Sequence, residues 1–253
     1  MTIFLNRRQT LFGGTLALAF GAMASSHTKA AYAEVSVEGA GRIHGVLRFT
    51  GDLPSEDKIS ISKDSHICGT GHVNPNPLTR GADNELLNGV VTLRKVASGK
   101  AWPTDLTEPK IVQEACLFEP FVQVAPKGSD LTILNKDPLL HNIHAYEQIG
   151  RARRTMFNIA QPAAGQIDVS KLKMRRGSVV EIDCDAHNWM SAWIYMSDHP
   201  YVAVTAADGR FDLPETPPGS YEIVMWHPQL GEKTSQISIG SGETLDLSLD
   251  MKS

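Results

Sequence analysis

The sequence predicts an all-β protein made of two β-sandwiches. Three observations carry this prediction: apolar residues recur in short alternating runs, turn-forming residues separate the runs, and no stretch keeps a long helical period. The 21 glycines and 14 prolines supply the tight turns that short strands need. A chain of 253 residues is long enough for two small domains or one large one after a leader is removed.

The N-terminal segment has the three parts of an export signal. A basic pair, Arg7 and Arg8, is followed by an apolar run over residues 11–24 and by small residues around Ala33. Because the apolar run is too short to span a bilayer, we expect cleavage after Ala33 and no membrane span afterwards. The arginine pair resembles a twin-arginine signal, although Sec signals also carry basic residues. The segment 1–33 therefore predicts a bacterial periplasmic or extracytoplasmic destination.

The predicted mature chain is acidic. The whole chain has 24 Lys and Arg residues, 28 Asp and Glu residues and a net charge of −4. Removing residues 1–33 takes away three basic residues and no acidic one, so the net charge becomes −7. This balance argues against nucleic acid as a partner.

Two separated parts of the chain carry related strand patterns. Four runs resemble strands of a carboxypeptidase-regulatory-like β-sandwich, two from each half: 41–51, 90–94, 208–213 and 217–223. The resemblance implies that residues 34–100 and 200–253 form one small sandwich, which the region 101–199 interrupts at an exposed loop. A fold alone does not fix a function, so we expect a scaffold or partner-binding module. We then expect His199 and His227 to be structural histidines, with a second metal site as the alternative.

The most specific motif lies in the interrupting region and has the spacing Cys184-x2-His187-x2-Met190. A strand-like run at 178–183 leads into it, and another at 192–196 leaves it. The motif therefore places a thiolate, an imidazole and a thioether on one short loop between two strands.

A fourth donor comes from His141, which follows a strand-like run at 131–134 through a turn. This places His141 at the same end of the predicted sandwich as the loop. Two imidazoles and one thiolate in a plane, with a thioether as a long axial ligand, are the donor set of a blue-copper electron-transfer site.

These motifs resemble those of the cupredoxins, and among them most closely the amicyanin type, whose ligand loop has the same spacing. The resemblance covers residues 109–199 and implies a Greek-key β-sandwich. The His141-Asn142 pair matches the upstream ligand pair of the family, so it implies His141, rather than His144, as the ligand. Asn142 is expected to join the two ligand loops by hydrogen bonds. The family resemblance also places His187 at the solvent edge.

The resemblance implies a periplasmic type 1 copper protein that carries single electrons between redox partners. One mononuclear copper ion would be bound by His141, Cys184, His187 and Met190. The sequence contains no pattern of a catalytic triad, phosphate-binding loop or carboxylate pair, so we do not expect an enzyme. Three alternatives stay open: a copper storage or delivery protein without redox cycling, a structural protein with a vestigial site, and zinc in place of copper.

The cysteine count is odd after signal removal, with Cys68, Cys116 and Cys184. In an oxidising compartment an odd count indicates one thiol with another role. With Cys184 as a metal ligand, Cys68 and Cys116 are expected to form a disulfide. The alternative is a second metal site built from Cys68 with His66 and His72.

Two basic clusters lie in the cupredoxin-like region of this acidic chain. Such runs are often solvated surfaces, but they can also steer an acidic redox partner, which would make association salt-dependent. The predicted docking residues are Arg151, Arg153, Arg154, Lys171, Lys173, Arg175 and Arg176.

Overall fold

The computed structural model describes residues 31–52, 58–75, 77–78, 81–169 and 171–252. Nearly all of the export signal predicted for residues 1–33 lies outside this part of the chain, so the signal stays a prediction. In chain order the elements are β1 (Ala33–Glu34), β2 (Gly41–Phe49), β3 (Ile59–Ser60), α1 (Ser65–Cys68), β4 (His72–Val73), β5 (Val90–Leu93), β6 (Ser98–Gly99), α2 (Thr104–Thr107), β7 (Lys110–Glu114), β8 (Leu117–Glu119), β9 (Val122–Pro126), β10 (Leu131–Asn135), β11 (His141–Ile149), β12 (Ala152–Gln161), β13 (Gly165–Val169), β14 (Val179–Asp183), β15 (Ser191–Ser197), β16 (Val202–Val204), β17 (Arg210–Thr216), β18 (Gly219–His227), β19 (Gly231–Ile239) and β20 (Thr244–Met251).

Strands β7 to β15 form a first sandwich of two sheets, with the orders β13-β10-β7-β8 and β12-β11-β14-β15-β9. Burial alternates along β10, so Leu131 and Ile133 point into the core. Ile143, Ile182 and Ile194 of the five-stranded sheet belong to the same core. Since β14 is antiparallel to both β11 and β15, the start of β11, the end of β14 and the start of β15 meet at one end of the sandwich.

A second sandwich combines strands from both ends of the described chain, with the sheet orders β16-β5-β18-β19 and β17-β2-β20. Its core includes Ile43, Leu47, Phe211 and Ile223. Gly45 lies where the parallel strands β2 and β20 approach closely, because a Cβ there would collide with the carbonyl of Leu247.

The two sandwiches meet through an apolar interface. Trp226 of β18 packs against Trp193 and Tyr195 of β15, with ring centroids 5.8 Å apart in both pairs. Nearly all of β15 is buried, since one face lines the first core and the other contacts the second sandwich. Residues 31–253 accordingly form one compact unit.

The predicted all-β class is confirmed. The strand runs predicted at 131–134, 178–183 and 192–196 correspond to β10, β14 and β15. Of the helices in the described part of the chain, neither has the length or apolar character to cross a bilayer.

Candidate metal centre

The four predicted donors lie at the end of the first sandwich where β11, β14 and β15 meet. His141 is the first residue of β11, and Cys184 directly follows β14. In the loop to β15, the amide of His187 donates to the carbonyl of Cys184 at 3.2 Å, and the amide of Met190 donates to the carbonyl of His187 at 3.0 Å. These two successive turns fold the loop so that its donor side chains return to the sheet end.

Three of the donors converge in a buried cluster. The Nδ1 atoms of His141 and His187 lie 3.0 Å apart, and the Sγ of Cys184 is 4.0 Å from the first and 3.7 Å from the second. Two nitrogens about 2.0 Å and a sulfur about 2.3 Å from one ion, spread in a plane, would be separated by about 3.5 Å and 3.7 Å. The spacing of the three donors therefore fits one metal ion between them.

Met190 is buried and belongs to the same core cluster as Cys184. Its backbone takes part in the hydrogen bonds of the ligand loop. The Met190 amide donates to the carbonyl of His187, and the Met190 carbonyl accepts the backbone amide of Cys184 at 3.3 Å. The role of its thioether as an axial donor stays a prediction.

In both candidate ligand histidines the second ring nitrogen lies beside a carboxylate. The Nε2 of His141 lies 2.7 Å from Oδ2 of the buried Asp137, and the Nε2 of His187 lies 3.0 Å from Oδ2 of Asp64. The carboxylate of Asp137 also accepts the amides of Ala115 and Cys116. A carboxylate that accepts a proton from Nε2–H leaves the lone pair of Nδ1 available to the cluster centre, as metal ligation requires.

Asn142 links the two ligand segments. Its side-chain amide donates to Asp185 at 3.0 Å, and its Oδ1 accepts the amide of Ala186 at 3.2 Å. Its own backbone amide points at the Sγ of Cys184 at 3.5 Å. These bonds hold the loop after Cys184 against the start of β11.

The protonation states of the donors follow from their burial. Burial lowers the pKa of His141, because the charged imidazolium loses hydration, although Asp137 opposes this shift. Burial also raises the pKa of the Cys184 thiol, despite hydrogen bonds from the amides of Asn142, His187 and Ala186. A cation between the donors would supply the positive charge that a buried thiolate needs.

His144 lies apart from this cluster. Its Nδ1 is 3.0 Å from Oδ1 of Asp185, and its ring stacks on Tyr146 with centroids 4.1 Å apart. Because side chains alternate along β11, His144 points to the other face of the sheet from His141.

The expectation that His187 lies at the solvent edge is wrong, because His187 is fully buried. The segment 58–75 contains β3, α1 and β4. It packs against the first core and contacts His187 and Ala186 of the ligand loop. Asp64, the residue before α1, binds Nε2 of His187 from this segment.

The predicted disulfide between Cys68 and Cys116 is confirmed, and Cys184 is a free, buried thiol. The bond ties α1, at its last residue, to the turn between β7 and β8. Since the sulfur of Cys68 is in this bond, the alternative metal site with His66 and His72 is wrong for the disulfide form.

Asp64 and Asp137 were missed by the sequence analysis. Asp137 lies in the predicted turn before His141. An acidic residue four positions before a candidate ligand histidine is a local signal for a carboxylate that bonds the imidazole. Asp64 lies 123 residues from His187 and has no local signal, because only the fold brings the two together.

The other noted histidines lie in or beside the second sandwich and are buried. The Nε2 of His199 lies 2.9 Å from the carbonyl of Leu93, and the Nδ1 of His227 accepts the amide of Gln229 at 3.2 Å. Burial lowers the pKa of His227 to about 4. These contacts suit structural histidines.

Arg154 of the first basic cluster and three residues of the second line one groove of 530 Å³ on the first sandwich, with Met156 and Phe157 in its apolar part. The three residues of the second cluster are Lys171, Lys173 and Arg175. Arg154 is paired with the buried Glu147, and Arg153 is paired with Asp183 and lies over the ring of Tyr146. The exposed residues of the clusters are Arg151, Arg153, Lys171, Lys173, Arg175 and Arg176.

No protein-family model and no curated protein sequence matches this chain. Among solved structures, a purple cupredoxin from Nitrosopumilus maritimus is 18% identical, with a TM-score of 0.30 over 35% of this chain and 99% of that one. Dithionite-reduced auracyanin from Roseiflexus castenholzii is 13% identical, with a TM-score of 0.29 over 36% and 97%. Amicyanin from Paracoccus versutus is 10% identical, with a TM-score of 0.29 over 42% and 97%. Likeness at this level does not establish a function, so the assignment depends on the donor geometry.

Proposed function

We propose that this chain is a type 1 copper protein that carries single electrons. His141, Cys184 and His187 would bind one copper ion, with Met190 as the axial donor. The observation that carries the proposal is the buried convergence of two Nδ1 atoms and one Sγ at 3.0, 3.7 and 4.0 Å. This donor set matches a blue-copper site and not the four-ligand sets of structural zinc.

The bound copper would supply a one-electron couple, Cu(I)/Cu(II). The chain keeps the donors in one arrangement: Asp137 and Asp64 orient the two imidazoles, and Asn142 holds the loop after Cys184. Burial of the three donors excludes water from the site. A rigid, dry donor set changes little between oxidation states, which favours rapid electron transfer.

A second candidate function is copper storage or delivery without redox cycling. The burial of His187 beneath Asp64 favours it, because the imidazoles of His141 and His187 are both fully buried and expose no edge to a redox partner. Electron transfer would then have to pass through the covering residues.

For a redox partner we propose an acidic protein that docks on the basic groove. The convergence of Arg154, Lys171, Lys173 and Arg175 on one groove supports this proposal. The strongest contribution would come from the exposed lysines, since Arg154 already neutralises Glu147.

We also propose that residues 101–199 are a domain inserted into a sandwich formed by residues 34–100 and 200–253. The pairing of β2 with β17 and β20, and of β5 with β16 and β18, supports this division. The predicted export signal would deliver this protein to the bacterial periplasm or another extracytoplasmic compartment.

Voltammetry of the copper-loaded protein separates the two candidate functions. For electron transfer we expect an intense thiolate-to-copper band and a reversible one-electron wave, with a shifted potential in Met190→Gln. A colourless protein that holds Cu(I) and shows no reversible wave would overturn the electron-transfer proposal and support storage or delivery.

A further inference from the structure

The disulfide lies directly against the candidate metal centre. The ligand atoms of Cys68, Cys116 and His187 all lie within 4.8 Å of one another, and so do those of Cys116, Asp137 and His141. All of these residues are buried, and Cys68 has the largest exposed fraction, at 9%. Two further sulfur atoms therefore lie beside the two ligand imidazoles, although as a disulfide they are poor metal donors.

We propose that reduction of the Cys68–Cys116 disulfide creates a second metal site beside His187, in which the Cys68 and Cys116 thiolates bind Cu(I). Thiolates are soft donors that select Cu(I), and two of them suffice for a low-coordinate site. The inference rests on the proposed function in one respect, namely that copper is the metal this chain meets.

Cys116 is held in place independently of the disulfide. Its amide donates to Asp137 at 2.9 Å, and its carbonyl accepts the indole N–H of Trp189 at 3.2 Å. Trp189 itself packs against His187, with ring centroids 5.1 Å apart. After reduction the Cys116 sulfur would therefore stay beside His187.

Cys68 is the half of the disulfide that lies near the surface. It ends the short helix α1, and its neighbours Ser65, His66, Gly69 and Thr70 are exposed. An external thiol therefore has a shorter approach to the Cys68 sulfur than to the buried Cys116 sulfur.

The redox step requires an external dithiol as reductant. One of its thiolates attacks Sγ of Cys68, the S–S bond breaks, and the Cys116 thiolate leaves and takes a proton. The second thiol of the reductant resolves the mixed disulfide, which yields the Cys68 thiol and the oxidised reductant. Cu(I) binding then displaces the protons of both thiols.

Cu(I) stoichiometry tests the proposal in the full mature chain. The disulfide form and the reduced form, freed of reductant under anaerobic conditions, are each titrated with Cu(I) against a chromophoric Cu(I) chelator. Thiol counting verifies that the reduced form has gained the two thiols. We expect the reduced form to bind one more equivalent of Cu(I). A fully reduced, folded chain that binds no more Cu(I) than the disulfide form would overturn the proposal.

Two variants separate this site from the one around Cys184. In Cys184→Ser the reduced chain should still bind one Cu(I), with sulfur scatterers in the copper K-edge spectrum, whereas its disulfide form should bind none. The Cys68→Ser/Cys116→Ser variant should bind one equivalent, with or without dithiol. If an added equivalent appears in that variant after dithiol treatment, the thiols are not its ligands and the proposal fails. If the disulfide form of the wild type lacks a blue band but reduced Cys184→Ser binds Cu(I), only the proposed electron-transfer function fails.

Discussion

The two sandwiches bury polar groups in different ways. In the second sandwich the buried polar side chains are scattered and mostly satisfied by backbone groups, as with Thr92 and Thr205. In the first sandwich they are concentrated at one end, where imidazole nitrogens and a thiol face one another. Burying polar groups costs free energy unless they find partners. This concentrated set of imidazoles and a thiol is what the proposed copper site would use.

The first sandwich itself contains an instructive contrast. Glu147 is fully buried, yet its carboxylate accepts the amides of Arg175, Arg176 and Gly177 and pairs with Arg154. The buried carboxylate of Glu147 and the guanidinium of Arg154 therefore neutralise each other within the chain. At the candidate metal centre, by contrast, the Nδ1 atoms of His141 and His187 face each other and the Cys184 sulfur, which is the space that the proposed copper ion would occupy.

Cutting the chain gives the largest expected effect. Residues 200–253 alone should fail to fold, because β16 to β20 lose β2 and β5, with which they pair. Residues 109–199 alone should still bind copper, although less tightly than the whole chain, because they keep most of the first core but lose Asp64 and Cys68. Circular dichroism and copper binding of both fragments check this. A cooperatively folded C-terminal fragment would contradict the proposal that residues 34–100 and 200–253 form one sandwich.

Replacing either of two neighbouring histidines should have very different effects on copper affinity. His141→Gln should weaken copper binding by more than about 100-fold, which exceeds the usual cost of losing a residue that orients a ligand. His144→Gln is the matched control and should leave the affinity nearly unchanged, because His144 lies on the other face of β11. Chelator competition measures both. A larger loss of affinity in His144→Gln than in His141→Gln would show that the His141-Asn142 pair does not mark the ligand.

Glu147→Gln should destabilise the fold by about 3 kcal/mol, because it leaves buried donors and Arg154 without their anion. Burial alone would raise the pKa of Glu147, but the amides of Arg176 and Gly177 and the Arg154 side chain lower it from 4.5 to about 2. A depressed pKa contributes stability that is full above the unfolded value and is lost as the pH falls from 4.5 towards 2.

Urea unfolding at pH 7 and at pH 3 measures this effect. The wild type should lose stability between the two pH values, and Glu147→Gln should lose less. Glu222→Gln, at the partly exposed pair with Arg94, is the control and should change stability by less than about 1 kcal/mol. Equal pH profiles for wild type and Glu147→Gln would show that this carboxylate is not the stabilising group.

Much of the fold and site could be predicted from the sequence, because the signals were local. Alternating apolar residues identified β10, β14 and β15, and the loop from Cys184 to Met190 carries its donors at fixed spacing. The odd cysteine count indicated the disulfide. Burial of His187 could not be predicted, since it depends on the pairing of Asp64 with a residue far along the chain. The pattern of apolar residues along the sequence contains no information on which distant segment will cover a loop.

The visible spectrum of the Cu(II)-loaded disulfide form tests the central claim most directly, by comparing wild type with Cys184→Ser. The account predicts an intense thiolate-to-copper band in the wild type and its complete loss in Cys184→Ser, with unchanged far-ultraviolet circular dichroism. The Cys68→Ser/Cys116→Ser variant should keep the band, because neither sulfur belongs to the oxidised site. A band that persists in Cys184→Ser would contradict the assignment of this thiolate as the copper ligand.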